Sequence, residues 1–190
     1  MRIVLLGAPG SGKGTQGEAL AAHFGVRHVS TGDLLRDHIA RGTDIGREAE
    51  PYTRRGELVP DALMLQIAGQ AVIEAAADGG YVLDGFPRAL AQAEQAYEGA
   101  DRAGVTADAV VYLAVPDDVV RERLAARAVA GRVDDADPAV IERRLQVFHS
   151  ETGPLLDFYR ERGILVTVDA TPSPDEVTAT MLKAVEPLRS

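Results

Sequence analysis

Short apolar runs alternate along the chain with longer stretches of helical periodicity. The runs that read as strands are Arg2–Leu6, Arg27–Val29, Tyr81–Leu83, Ala109–Leu113 and Ile164–Val168. Each is followed by a turn and then a helical pattern, which predicts βα units around a parallel sheet. Two helix starts are well marked. Asp137-Pro138 and Ser173-Pro174 each pair a capping side chain with proline at the first helical position, and Ser173-Pro174-Asp175-Glu176 is also a capping box.

Two segments break the alternation. Residues 30–59 are polar and helical and form an insertion after the second strand. Around 128–136, "AVAGRVDDA" places a glycine-containing turn between two arginine-bearing helices. Neither holds enough apolar positions for a core of its own, so both are expected to be flaps mounted on the sheet.

Composition narrows the function. A chain of 190 residues is enough for one α/β domain with small insertions. Its net charge of −9 opposes nucleic acid and anionic membrane as partners, so a polyanionic ligand needs a local cluster of cations. There is no cysteine, which removes disulfides, thiolate catalysis and cysteine-ligated zinc. The opening "IVLLGA" is too short for a signal-peptide core, and no stretch reaches the ~18 apolar residues of a membrane span. A cytoplasmic protein is expected.

The candidate chemistry starts at "GAPGSGKGTQ", residues 7–16, which follows a strand and opens a helix. Gly7, Gly12 and Lys13 fit the phosphate-loop pattern G-x-x-x-x-G-K-[ST], but Gly14 stands where the hydroxyl belongs and Thr15 carries it one position later. Gly10, Gly12 and Gly14 allow a tight turn with inward N–H groups. The helix beginning near Lys13 adds a positive dipole end, and Lys13 adds a full charge. In "STGDLLR", Ser30 or Thr31 caps a helix and Arg36 is solvated, or else Thr31 meets a base or phosphate and Arg36 clamps a second phosphate.

"YVLDGFPRALAQ", residues 81–92, ends a strand at Asp84, where a carboxylate can hold magnesium or its waters beside the phosphate loop. A helix starting near Pro87 would put Arg88 and Gln92 on one face, one offering a guanidinium fork and the other an amide that reads a base edge. The plainer alternative makes Asp84 a turn residue and Gln92 merely exposed. Arg123 and Arg127 lie four apart on a predicted helix, and Arg132, Arg143 and Arg144 follow the turn. Together they suggest a closing anion clamp; singly each is a surface residue paired with a carboxylate. Asp134 and Asp135 either fix these arginines or cap a helix. His23, His28, His38 and His149 show no metal-ligand spacing and are read as structural.

These motifs resemble the adenylate kinase family from Met1 to about Asp169 and onward. That family's loop reads G-x-P-G-x-G-K-G-T-Q, so Gly14 before Thr15 is its own form. "STGDLLR" (30–36), "GELVPD" (56–61), "DGFPR" (84–88) with Gln92, and "GRVDD" (131–135) follow in the family's order. The resemblance implies an α/β P-loop NTPase-type three-layer fold with a central five-stranded parallel sheet. The core would span 1–29, 60–126 and 138–190, the AMP-binding insertion 30–59 and a short lid 127–137. It implies MgATP + AMP ⇌ 2 ADP, with a monomer as the working unit.

By resemblance, AMP is held by Thr31, Arg36, Glu57, Leu58, Val59, Gly85, Phe86, Pro87, Arg88, Gln92, Arg132 and Arg144. ATP is held by Gly10, Ser11, Gly12, Lys13, Gly14, Thr15, Arg123, Arg127 and Pro172. Lys13, Arg88, Arg127, Arg132 and Arg144 are the catalytic set, and Asp84 anchors Mg2+ through water, with no zinc site. The segment from Arg132 to Leu145 is one residue longer than the family pattern. Matching R-L-x-x-[FY]-H at 144–149 selects Arg144, with Arg143 the alternative. A UMP/CMP kinase is the nearest rival, and a phosphate-loop switch without transferase activity is the rival of another class.

Overall fold

The computed structural model describes residues 1–130, 135 and 137–188. Five strands are formed: β1 (Arg2–Gly7), β2 (Arg27–Ser30), β3 (Tyr81–Asp84), β4 (Ala109–Ala114) and β5 (Leu165–Asp169). All pair in parallel, in the spatial order β2-β3-β1-β4-β5. The predicted strands thus stand within one residue of their observed ends. Parallel strands covered on both faces need apolar residues at nearly every position, which is why these runs were visible without strict alternation. Alternate residues still go to opposite layers: Val4 and Leu6 pack on one face of the sheet, Ile3 and Leu5 on the other.

Eight helices complete the described chain: α1 (Lys13–Phe24), α2 (Thr31–Ala40), α3 (Asp44–Arg54), α4 (Asp61–Ala77), α5 (Leu90–Arg102), α6 (Asp117–Val129), α7 (Pro138–Glu161) and α8 (Pro174–Val185). One turn of 3-10 helix, Glu186–Leu188, follows. Residues from α4, α5 and α7 share the core of Val4 and Leu6, while α1 and α8 supply Leu20, Val177 and Met181 to the core of Ile3 and Leu5. The marked helix starts are as expected. Asp137 accepts from the Ala139 N–H, and Ser173 and Glu176 form the reciprocal capping box.

Residues 31–54 fold as α2 and α3, packed against each other. Ser30 caps α2 and Thr43 caps α3, each accepting a backbone N–H through its hydroxyl. On the other side of the sheet's upper end, α6 continues to Val129, so Arg127 belongs to its last turn. Residues 131–134 and 136, five of the eleven positions of the expected lid, lie outside the described residues.

β1 lies between β3 and β4, and the chain leaves it toward β2 on one side and reaches β4 on the other. The crevice above the carboxyl ends of such strands is where open α/β sheets bind ligands. A small third apolar cluster, Ala8, Val120, Leu124, Ile141 and Leu145, props the loop that rises from β1. Leu124 is fully buried, and a side chain on Gly10 would begin 2.9 Å from its Cγ. Leu124→Ala is therefore expected to cost about 2–5 kcal/mol and to lower the melting midpoint by roughly 5–15 °C in thermal denaturation.

Candidate functional site

The loop between β1 and α1 has the shape that phosphate binding requires. Gly10 and Gly12 have φ of 80° and 99°, left-handed values open to glycine, and Gly12 is the N-cap of α1 without any side-chain cap bond. The first N–H groups of that helix therefore face outward without a side-chain acceptor, a ready anion site. Gly14 and Thr15 are exposed in its first turn. Ser11 is buried, and its hydroxyl lies where a side chain on Gly7 would have to go, 2.6 Å from that position.

Lys13 folds back across the loop. Its Nζ donates to the carbonyls of Gly7 and Ala8, both at 2.9 Å. Burial lowers its pKa to about 8, opposed by the Asp84 carboxylate and reinforced by the cations of Arg88, Arg144 and Arg127. Asp84 ends β3, is 8% exposed, and stands in register with Leu5 of β1. No other described residue donates a hydrogen bond to its carboxylate, so the acceptor remains available. Among the described residues no three His, Cys, Asp or Glu side chains gather as metal ligands.

A deep cleft opens beside the loop between the sheet, α2, the 56–59 segment and α7. Lys13, Arg36, Arg88 and Arg144 all line it, which concentrates four cations in a chain of net charge −9. Of the expected AMP residues, Thr31, Glu57, Leu58, Val59, Gly85, Pro87 and Gln92 line the same cleft. Thr31 is fully buried and its hydroxyl donates to the Asp84 carbonyl at 3.0 Å. Arg36 is paired with Asp33, and Glu57 with Arg55 at 2.9 Å. Phe86 departs from expectation: its side chain is 3% exposed in the core of Val4 and does not line the cleft.

The expected helix at Pro87 is not there, and the geometry of Arg88 and Gln92 has a different cause. α5 begins only at Leu90, because Ala89 is extended at φ −135° and ψ 158°. Gln92 alone is helical; its Oε1 accepts the backbone N–H of Arg88 at 2.9 Å, and its Nε2 donates to Asp61 at 2.8 Å. Arg88 Nε donates to the Gly85 carbonyl at 2.7 Å, which aims the rest of the guanidinium. Though Arg88 opens to the cleft by area, loss of water around its charge, with Arg144 nearby, pushes its pKa below the usual arginine value.

The arginines of α6 and α7 divide. Arg144 Nη1 donates to Asp135 at 2.8 Å, and Arg127 Nε approaches the same buried carboxylate at 3.2 Å. Asp135 thus fixes two arginines, one of the two roles open to it in the sequence. Arg143 is exposed and does not line the cleft. Arg123 turns to the loop after β5, donating to the carbonyls of Ala170 at 2.9 Å and Thr171 at 3.4 Å, next to the exposed Pro172. Arg132 lies outside the described residues.

Two residues of the site escaped the motif reading. Gln16 is 3% exposed in α1; its Nε2 donates to the Pro174 carbonyl at 2.9 Å and its Oε1 accepts from Thr178 at 2.8 Å. Asp61 orients Gln92. Both sit inside quoted motifs, but their partners are distant in sequence and no local spacing announces them.

The adenylate kinase family model matches residues 5–164. An adenylate kinase of Parasynechococcus marenigrum (strain WH8102) is 46% identical over 184 residues, covering 97% of this chain and 98% of the relative. One from Mycolicibacterium paratuberculosis (strain ATCC BAA-968 / K-10) is 45% identical, covering 97% and 99%. Another from Stenotrophomonas maltophilia (strain R551-3) is 42% identical, covering 98% and 100%.

Lys13 gives the site a pH signature. With its pKa lowered to about 8, the ammonium is present below that pH and lost above it. Affinity for a nucleoside triphosphate, followed by titration calorimetry from about pH 7 to pH 9.5, is expected to fall on the order of tenfold across that window. Lys13→Gln is expected to bind more weakly throughout and to show no such slope.

Proposed function

The chain belongs to the adenylate kinase family, a family of phosphotransferases acting on nucleotides, and from that premise we propose that it catalyses ATP + AMP ⇌ 2 ADP with Mg2+. One observation carries the acceptor assignment: a phosphate loop and a cleft of four cations share one wall, and the cleft also holds a buried amide, Gln92. Arg36 and Arg88 neutralise the AMP phosphate, and Thr31, Gly85, Gln92 and the Glu57–Val59 backbone surround the nucleoside. The Gly10–Thr15 loop holds the triphosphate, with Arg123 and the Ala170–Ser173 loop beside its adenine.

In the forward direction an AMP phosphate oxygen attacks the terminal phosphorus of ATP, the bond to the bridging oxygen breaks, and ADP leaves with that electron pair. No general base is needed, because the attacking oxygen is already anionic. What the protein supplies is position and neutralisation of charge on the moving phosphoryl group. Lys13, Arg88, Arg127 and Arg144 supply it, with Arg132 added from the lid. Asp84 suits Mg2+ or its bound water: it is an ionisable acceptor beside the loop, and the ion would supply neutralisation of phosphate charge there. We assign residues 30–59 and 127–137 as covers that exclude water, the competing acceptor.

A UMP/CMP kinase shares much of this scaffold; Gln92 offers both a donor and an acceptor, as the edge of adenine requires. A panel of AMP, CMP, UMP and GMP tests the choice: ATP consumption is expected to require AMP and to yield ADP without free phosphate. Faster turnover of CMP than AMP would overturn the assignment. Free phosphate released without any acceptor would favour a nucleotide switch. In the same coupled assay, Arg88→Ala is expected to lose about 10³–10⁵ in turnover.

A further inference from the structure

Gln92 has both ends of its amide specified by partners of opposite kind. Oε1 accepts the Arg88 backbone N–H at 2.9 Å, and Nε2 donates to Asp61 Oδ1 at 2.8 Å. A backbone N–H can only donate and an ionised carboxylate can only accept. A primary amide is ordinarily ambiguous between its two flips. Here the other flip would set N–H against N–H and oxygen against carboxylate, so a single orientation fits. Each end keeps one further capacity, a second N–H on Nε2 and a second lone pair on Oε1. Gln92 also lines the cleft.

We propose that Asp61 is a specificity-determining positioning residue: by holding the Gln92 amide in one flip, it makes the cleft take a 6-aminopurine and refuse a 6-oxopurine. The proposal rests on the assignment of this cleft to the acceptor monophosphate. Adenine presents an acceptor at N1 beside a donor at its 6-amino group, which an amide N–H and oxygen match. Hypoxanthine and guanine present the reverse, a donor at N1 and an acceptor at O6. An amide free to turn over would serve either edge nearly as well. Fixed, it opposes like groups to the wrong purine and leaves them unpaired, a mismatch that discriminates more strongly than a missing apolar contact.

Asp61 is well placed for the role. It is the first residue of α4, where the helix N-terminus favours a carboxylate, and it reaches across to α5. Gln92 itself is 1% exposed, so bulk water is kept from substituting for either partner.

The test compares kcat/KM for AMP and for inosine monophosphate, with ATP as donor, in the wild type, Asp61→Asn and Gln92→Leu. Asparagine keeps the shape but presents either a donor or an acceptor, so it removes one of the two constraints and leaves the flip to the Arg88 N–H alone. Asp61→Asn is expected to raise KM for AMP and to reduce the preference for AMP over inosine monophosphate by about tenfold, with KM for ATP unchanged. A merely structural role would lower stability without moving that ratio. An unchanged ratio in Asp61→Asn, with the preference lost in Gln92→Leu, would overturn the proposal and leave the acceptor assignment standing. If Gln92→Leu also left AMP use unchanged, the acceptor assignment would fail and the proposal with it. Should Asp61→Asn not fold, Asp61→Ser is expected to give the same loss of preference, and an unchanged ratio there would equally overturn the role.

Discussion

Mutual repulsion among Lys13, Arg36, Arg88 and Arg144 is the constraint around which the rest is arranged. They share one cleft, and the pKa of Lys13 and of Arg88 is lowered by loss of water around each charge and by their cationic neighbours. Such a group stays together because each cation is tethered to something else. Lys13 is held by two carbonyls of its own loop, Arg88 by the Gly85 carbonyl, Arg36 by Asp33, and Arg144 by Asp135. The tethers are short-range and the repulsion is felt across the whole cleft, so the natural relief is a polyanion. An acidic protein thereby gathers a local site for phosphate against its overall negative charge.

The fold was legible because its signals are local. Strands buried on both faces show as apolar runs, and Ser173-Pro174-Asp175-Glu176 specifies its cap within four residues. The phosphate loop is likewise local, its glycines and lysine forming one turn. Arg88 and Gln92 both line the cleft, but not from one helical face. A four-residue spacing suggested one helical face, whereas Ala89 is extended and the link is a side chain accepting a main-chain N–H. Phe86, flanked by functional neighbours in "DGFPR", is turned into the core. The pairings of Gln16 with Pro174 and of Gln92 with Asp61 depend on which helices become neighbours, and no single-segment pattern carries that information.

Two polar residues tie the loop after β5 to the remainder of the site. Arg123 reaches its carbonyls from α6, and Gln16 reaches Pro174 from α1. The expected adenine-side loop and the phosphate loop are therefore set relative to each other by these hydrogen bonds, not by the sheet alone. Buried amides with both ends satisfied specify geometry well, because any shift leaves a polar group unpaired. Gln16 and Gln92 use the same device, one to tie α1 to α8 and one between Asp61 and the Arg88 backbone.

The stitch from Gln16 to Pro174 and Thr178 also orders events during synthesis. The phosphate loop is translated well before α8, yet its strand sits between β3 and β4, and its helix is fastened to α8. A motif translated before α8 thus acquires all its native contacts only once α8 has been made. A nascent chain halted before α8 emerges carries the glycines and the lysine without the hydrogen bonds that hold α1 against the rest.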